Sequence, residues 1–155
     1  MTDPAAAGCD AHRGSAGMSG GADGAEGLVR LSRVVQVLHG RVADEHGLTQ
    51  VQARLVCILG LGSRGMADLA RCLGVERATL TGLADRAEDR GLVVRSPVPG
   101  DRRALNLVLT EAGRRTAAAF HADVVDRLDR LLSPLSPTEL DEFRSAMAKI
   151  VAESR

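Results

Sequence analysis

Apolar residues recur along most of the chain at the spacing of amphipathic helices. They return every three or four positions, so each segment carries one apolar stripe along one side of a helix. The predicted helices are 28–45, 49–61, 68–73, 77–90, 110–132 and 137–152. Two other segments resemble strands, because 92–95 is a β-branched run and the leucines of 105–109 alternate with other residues. The pattern predicts a mainly α-helical chain with a small β-hairpin.

Capping and turn residues mark the limits of these elements. Gly74 and Gly91 follow the third and fourth helices, where a residue in the left-handed conformation commonly ends a helix. Thr49 and Gln52 have the spacing of a capping box at the start of the second helix. Proline, glycine and aspartate in 97–101 predict a turn between the two strands.

The third and fourth helices and the strand pair have the order of a helix-turn-helix followed by a wing. The second helix of such a unit lies in the major groove of DNA, and arginines in a wing suit phosphates and the minor groove. One face of the fourth helix is apolar, and its other face carries small residues, Asp85 and one long cation, Arg86. The candidate DNA contacts on this helix are Arg77, Ala78, Thr79, Thr81, Gly82 and Arg86. Those in the wing are Arg95, Asp101, Arg102 and Arg103.

With these motifs in this order, the sequence resembles the MarR family of winged helix-turn-helix transcription regulators. The residues that carry the resemblance are Leu69-Ala70, Leu73-Gly74-Val75, Arg77-Ala78-Thr79, Asp85-Arg86, Glu88, Arg90-Gly91-Leu92-Val93, Asp101-Arg102-Arg103 and Leu109-Thr110-Glu111-Ala112-Gly113. The resemblance covers most of the chain after residue 28. It implies a homodimeric repressor that binds a roughly palindromic double-stranded DNA site, needs no cofactor and is released by a small, often aromatic or anionic effector.

The resemblance also gives roles to particular residues. Asp101 and Arg103 match the family's D-x-R element, in which the carboxylate holds the guanidinium and directs it into the minor groove. Two positions depart from the family pattern, because many members have Ser or Thr where this chain has Glu76 and a basic residue where it has Gly82. DNA affinity or sequence preference is therefore expected to differ from that of other members. The residues that bind an effector cannot be assigned from the sequence.

The sequence predicts a tail, a DNA-reading lobe and two flanking helical regions. Residues 1–27 are rich in glycine and alanine and are predicted to form a disordered tail. Residues 28–155 are predicted to form one domain, with the winged helix-turn-helix at 49–110. The helices in 28–46 and 111–153 keep apolar stripes outside the DNA-reading unit. They either pack within the chain or, as the resemblance implies, form the interface of a homodimer.

Composition narrows the function classes. The formal net charge is zero, which does not by itself favour DNA binding, and a helical interaction module without DNA binding remains an alternative. Two Phe and no Tyr or Trp leave little surface for base stacking, which argues against single-stranded DNA or RNA as the target. A phosphate-binding glycine loop, a nucleophile motif and a carboxylate pair are all missing from the sequence, so an enzyme is not expected.

Cysteines and histidines leave open a metal- or oxidant-responsive regulator of the same fold. The three cysteines have no regular spacing, so we expect no disulfide framework, and Cys57 and Cys72 are predicted to be buried structural residues. His39, His46 and His121 approach one another if the first and fifth helices pack together, but no acidic cluster at ligand spacing predicts a metal site. Since membrane-spanning and secretory patterns are both missing, the chain is expected to be cytoplasmic.

Overall fold

The computed structural model describes residues 20–98 and 101–153, with side chains described in these ranges except at 20–22 and 101–104. The described residues form six helices and one small sheet, as the pattern predicts. In chain order the elements are α1 Gly20–Glu45, α2 Gln50–Gly60, β1 Arg64–Gly65, α3 Met66–Leu73, α4 Arg77–Asp89, β2 Val93–Val98, β3 Asp101–Leu109, α5 Glu111–Leu132 and α6 Pro137–Glu153.

The three strands form an antiparallel sheet in the order β1-β3-β2. Strands β2 and β3 make the predicted wing, and in its register Val93 lies opposite Leu109. Strand β1 pairs with the other edge of β3, where Gly65 lies opposite Asn106. Periodicity in the sequence cannot reveal β1, because two residues are too few to show an alternation.

The predicted turn at 97–101 is wrong in part. Pro97 and Val98 belong to β2, and Asp101 is the first residue of β3, whereas Pro99 and Gly100 lie outside the described residues. Proline is tolerated in β2 because this strand is at the edge of the sheet, where a missing N–H need not break a ladder bond. The register shifts between Pro97 and Val98.

Helix α1 begins earlier than predicted. It starts at Gly20 instead of Leu28, so residues 20–27 of the predicted tail are helical, and residues 1–19 lie outside the described part of the chain. Asp23 in the first turn favours the helix dipole, and Arg30 pairs with Glu26 one turn away at 3.1 Å. The four glycines in 20–27 made this stretch resemble a tail in composition.

The core joins the winged lobe to the long helices. Every member of the predicted apolar stripe of α4 is buried: Leu80, Leu83, Ala84 and Ala87. Phe120 of α5 is buried against α1, with its ring 4.8 Å from that of His39 and 5.9 Å from that of His46. His46 Nε2 lies 2.7 Å from Asp123 Oδ2, so polar contacts also connect α1 to α5.

Helix α6 and much of α1 keep apolar side chains exposed. None of the residues Pro137–Glu153 is buried within the chain. Exposed apolar residues on these two helices include Leu28, Val29, Val34, Val37, Met147 and Val151. Packing inside one chain therefore does not cover these stripes. No helix among the described residues is long and apolar enough to cross a membrane.

Candidate nucleic-acid interface

The turn between α3 and α4 fixes the position of the candidate recognition helix. Gly74 ends α3 with φ at 68°, a conformation that glycine adopts without the steric cost of a Cβ. The backbone N–H of Val75 donates to the carbonyl of Ala70 at 3.0 Å, which closes the end of α3 before α4 begins at Arg77. The predicted helix-turn-helix is thus present.

The candidate DNA contacts on α4 share the face opposite the buried stripe. Five of these residues are exposed and Gly82 is half-buried; the exposed ones are Arg77, Ala78, Thr79, Thr81 and Arg86. Arg77 and Arg86 make no ion pair with any residue in 20–98 or 105–153 whose side chain is described. Both guanidinium groups are therefore available to a partner.

At Gly82 no side chain covers the backbone of α4 on this face. A Cβ built at this position lies 3.5 Å from Arg86 Nη1, which is an ordinary contact, so the surrounding structure does not require glycine. Glycine inside a helix costs roughly 0.5–1 kcal/mol relative to alanine. Its side-chain-free surface permits a close approach by another molecule.

Arg95 does not project freely from the wing. Its Nη2 lies 2.5 Å from Asp85 Oδ1 and its Nη1 donates to Glu88, both on α4, and only about 25% of its side chain is exposed. The Arg95 backbone N–H also donates to Glu88 Oε1 at 3.2 Å. The hydrogen bond to Asp85 raises the pKa of Arg95 further above its ordinary value. Arg95 therefore fastens the wing to α4, a role that the sequence pattern did not suggest.

Replacing Arg95 by alanine is expected to lower the free energy of unfolding by about 1 kcal/mol, the usual scale for charge-assisted contacts at a partly exposed site. Arg95→Lys should recover only part of the loss, because an ammonium group cannot span two carboxylates as a guanidinium fork does. Urea denaturation measures both variants, and Arg115→Ala, which removes an exposed arginine paired within its own helix, is the control. Unchanged stability together with weaker DNA binding would instead support direct contact between Arg95 and DNA.

The D-x-R element is located only by its backbone. Asp101, Arg102 and Arg103 belong to β3, and their side chains lie outside the part of the chain whose side chains the structure describes. The contact between Asp101 and Arg103 and the minor-groove role of the wing arginines therefore stay predictions.

The cysteines differ in their surroundings. Cys57 is half-buried, and burial raises the pKa of its thiol. Cys72 is exposed, so its predicted burial is wrong. Leu69, Ala70 and Leu73 form the buried apolar stripe of α3. Cys72 lies beside this stripe, on the side of the helix that faces solvent.

The histidines do not form one cluster. His39 and His46 each make an edge contact with the ring of Phe120, and burial together with nearby Arg54 lowers the pKa of His39. His121 instead lines a separate cavity with Cys57. Within the described residues no group of three or more His, Cys, Asp or Glu side chains is placed to hold a metal ion.

Comparison with known proteins gives one consistent family. A family model described as MarR family matches residues 46–104. Over 67 residues the chain is 40% identical to the HTH-type transcriptional repressor NicR of Pseudomonas putida. The aligned segment covers 43% of this chain and 42% of that protein. The chain spans about half the length of the first curated relatives it matches.

Solved structures extend the likeness to the flanking helices. The YusO protein of Bacillus subtilis is 26% identical, with a TM-score of 0.68 over 84% of this chain and 94% of that one. NadR in complex with 4-hydroxyphenylacetate is 25% identical, with a TM-score of 0.66 over 88% and 97%. Because the matched segment contains the helix-turn-helix and most of the wing, and the flanking helices agree in fold, the chain is similar to the MarR family in this segment and shares the winged helix-turn-helix fold of its members.

Proposed function

We propose that the protein is a sequence-specific regulator of transcription that binds double-stranded DNA, as a homodimeric repressor. The observation that carries this proposal is the exposed face of α4, where two arginines without an ion pair to any described side chain stand beside side chains too small to block contact with a groove. A zero net charge does not oppose it, because the charges that matter are local to this face. The relative NicR is named a transcriptional repressor, which supports repression rather than activation.

The alternatives predict different behaviour. Relatives named as transcription regulators support a regulator rather than an enzyme. A helical interaction module without DNA binding would leave the cations of α4 with no anionic partner. A metal-responsive regulator has no supporting ligand group among the described side chains. Titration with duplex DNA separates the regulator from the interaction module.

A small-molecule effector is a further part of the proposal. The solved structure of NadR is a complex with 4-hydroxyphenylacetate, an aromatic acid, which supports the same ligand class here. A cavity of about 300 Å³ lies between α2, α5 and the end of β3, and the residues that line it include Cys57, Leu61, Leu109, Arg114, Ala117 and His121. Arg114 Nη1 donates to the carbonyl of Leu109 at 3.0 Å. A ligand that binds the Arg114 guanidinium would therefore compete with this hydrogen bond at the base of the wing. A rise in melting temperature with 4-hydroxyphenylacetate tests this part.

The DNA-binding proposal is tested by titrating the protein against a fragment of the DNA upstream of its own coding sequence. Arg103→Ala should weaken binding by roughly 1–3 kcal/mol, the scale of one good groove contact. Asp101→Ala should also weaken it if the carboxylate orients Arg103, whereas loss of a negative charge near phosphate would by itself strengthen binding.

A double variant completes this test. If Asp101 acts only through Arg103, the variant that lacks both should be little worse than Arg103→Ala alone. Tighter binding by Asp101→Ala would contradict the orienting role. If the unaltered protein binds neither this fragment nor a shuffled fragment at low salt, the proposed function itself is contradicted.

A further inference from the structure

A groove of about 470 Å³ separates the recognition helix from the sheet. We call it the α4–wing groove, and its walls come from β1, the start of α3, the first half of α4 and β3. The residues that line it are Gly65, Met66, Ala67, Arg77, Leu80, Thr81, Leu105 and Asn106. Strand β3, which is distant in sequence from the other three elements, thus meets them around one open space.

The charge of the groove is unlike that of the chain as a whole. Among the side chains that the structure describes, its lining contains one cation, Arg77, and no carboxylate, although the chain has equal numbers of acidic and basic residues. Arg77 makes no ion pair with any residue whose side chain the structure describes. The half-buried amide of Asn106 supplies N–H donors on the opposite wall. The described lining therefore offers donors to an anion and places no carboxylate against it.

Gly65 keeps the groove open without being required by the fold. Its φ of −69° and ψ of 152° are angles that any residue adopts. A Cβ built there comes no closer than 3.6 Å to another atom, Asn106 Oδ1, which is ordinary contact. Neither strain nor crowding within the chain demands a glycine. The missing side chain leaves room for a molecule from outside.

The position of the groove identifies the anion. Helix α4 is the element placed to enter the major groove, and the wing is the element placed beside the minor groove. The sugar–phosphate backbone is what separates these two grooves, so one strand must cross the space between α4 and the wing. Leu105, whose side chain is about 41% exposed, offers an apolar surface at this crossing.

We propose that the α4–wing groove binds one backbone phosphate of duplex DNA, with Arg77 and Asn106 as its donors and Leu105 against the adjoining deoxyribose. Arg77 is then a phosphate contact that sets the register of α4, and the sequence of the operator is read by other residues of the helix. The inference rests on the proposed function, because it needs duplex DNA as the partner. It adds Gly65, Leu105 and Asn106 to the interface, none of which the sequence pattern indicated.

The first test is the salt dependence of binding. Arg77→Gln should weaken binding about tenfold, equally on the upstream fragment and on a shuffled duplex of the same length. A neutralised phosphate contributes about 0.9 to the slope of log K against log salt, so the slope should fall by about that amount. Arg130→Gln, which removes an exposed arginine from the last turn of α5, outside the winged lobe at 49–110, is the control and should leave both quantities unchanged.

The second test alters the groove without altering the charge of Arg77. Asn106→Asp is nearly isosteric but places a carboxylate against the phosphate, and it should weaken binding of both duplexes at least tenfold. Gln36→Glu, which makes the same charge change on α1, should have little effect. Gly65→Val fills the groove with a residue suited to a strand, and DNA affinity should fall several-fold. Because Gly65 is also the N-cap of α3, where Val is poorer than Gly, a small drop in melting temperature should accompany it.

The outcomes separate the inference from the proposed function. Loss of affinity by Arg77→Gln on the upstream fragment alone, with an unchanged slope, would make Arg77 a base reader and overturn the phosphate site. Unaltered binding by both Asn106→Asp and Gly65→Val would overturn it as well. In either case the unaltered protein still binds DNA and the proposed function stands. If the unaltered protein binds neither duplex at low salt, both are overturned.

Discussion

Replacing Gly113 by alanine is expected to lower the free energy of unfolding by about 3 kcal/mol or more, the scale of severe overpacking at a buried site. A Cβ built on Gly113 lies 1.9 Å from the backbone oxygen of Leu92 and 2.9 Å from its carbonyl carbon. Since both are backbone atoms, a rotamer change cannot relieve the clash, and α5 must move away from the start of the wing. Urea denaturation measures the loss.

Gly82→Ala is the matched control for this substitution. Both glycines lie inside helices, and alanine has the better helix propensity by roughly 1 kcal/mol. At Gly82 the new Cβ meets only an ordinary contact, so this variant should be as stable as the parent or slightly more stable. If Gly113→Ala were also neutral, the close approach of α5 to Leu92 would be wrong.

The junction at Gly113 matters because it joins the wing to the long helix. The backbone N–H of Thr110 donates to the Leu92 carbonyl at 3.0 Å, and its hydroxyl donates to the Gly91 carbonyl at 2.6 Å. The same hydroxyl oxygen accepts from the Gly113 N–H at 2.9 Å and caps α5. Both ends of the wing are thus fixed to the first turn of α5. A displacement of α5 would be expected to carry the wing with it.

Signals that lie within a few residues of each other could be predicted from the sequence. Thr49 and Gln52 form the predicted capping box, and Gly74 and Gly91 both adopt a positive φ. Each depends only on local backbone geometry and on a side chain within hydrogen-bonding reach. The family pattern extends this local information to the order of the elements, which is why the winged fold is confirmed.

Contacts between distant elements could not be predicted in the same way. The guanidinium of Arg95 has two acceptors on α4, and nothing in the order of residues says that β2 turns back onto that helix. Asn106 gains its place in the groove from the pairing of β3 with β1, a strand too short to produce a pattern. The sequence therefore predicts least well the roles of those site residues whose contacts come from another element.

The exposed stripe of α6 leads to the prediction with the widest consequence. No residue of α6 is buried within the chain, although Met147 and Val151 are about 40% and 54% exposed apolar side chains on it. The apolar side chains of Leu28 and Val37 on α1 are each about 55% exposed. Single exposed apolar residues are ordinary, but continuous stripes on two helices are typical of a surface that is covered by another chain. A second copy of this chain is the occupant that the similarity to the MarR family supports.

Deleting residues 136–155 is therefore expected to convert a dimer into a monomeric or poorly folded product. Because no residue of α6 is buried within its own chain, loss of structure on deletion would come mainly from loss of the partner, which removes burial from α1 as well. Size-exclusion chromatography with light scattering should give twice the chain mass of 16.3 kDa for the full chain.

A point variant separates loss of the interface from loss of the helix. Val151→Glu places a charge within the apolar stripe of α6 and should weaken the dimer while the helical circular dichroism signal is largely kept. Ser145→Glu adds the same charge on the opposite side of the helix, about 200° from Met147, and should leave the dimer intact. A compact dimer that survives both the deletion and Val151→Glu would contradict α6 as an interface, because the exposed stripe would then have no partner to lose.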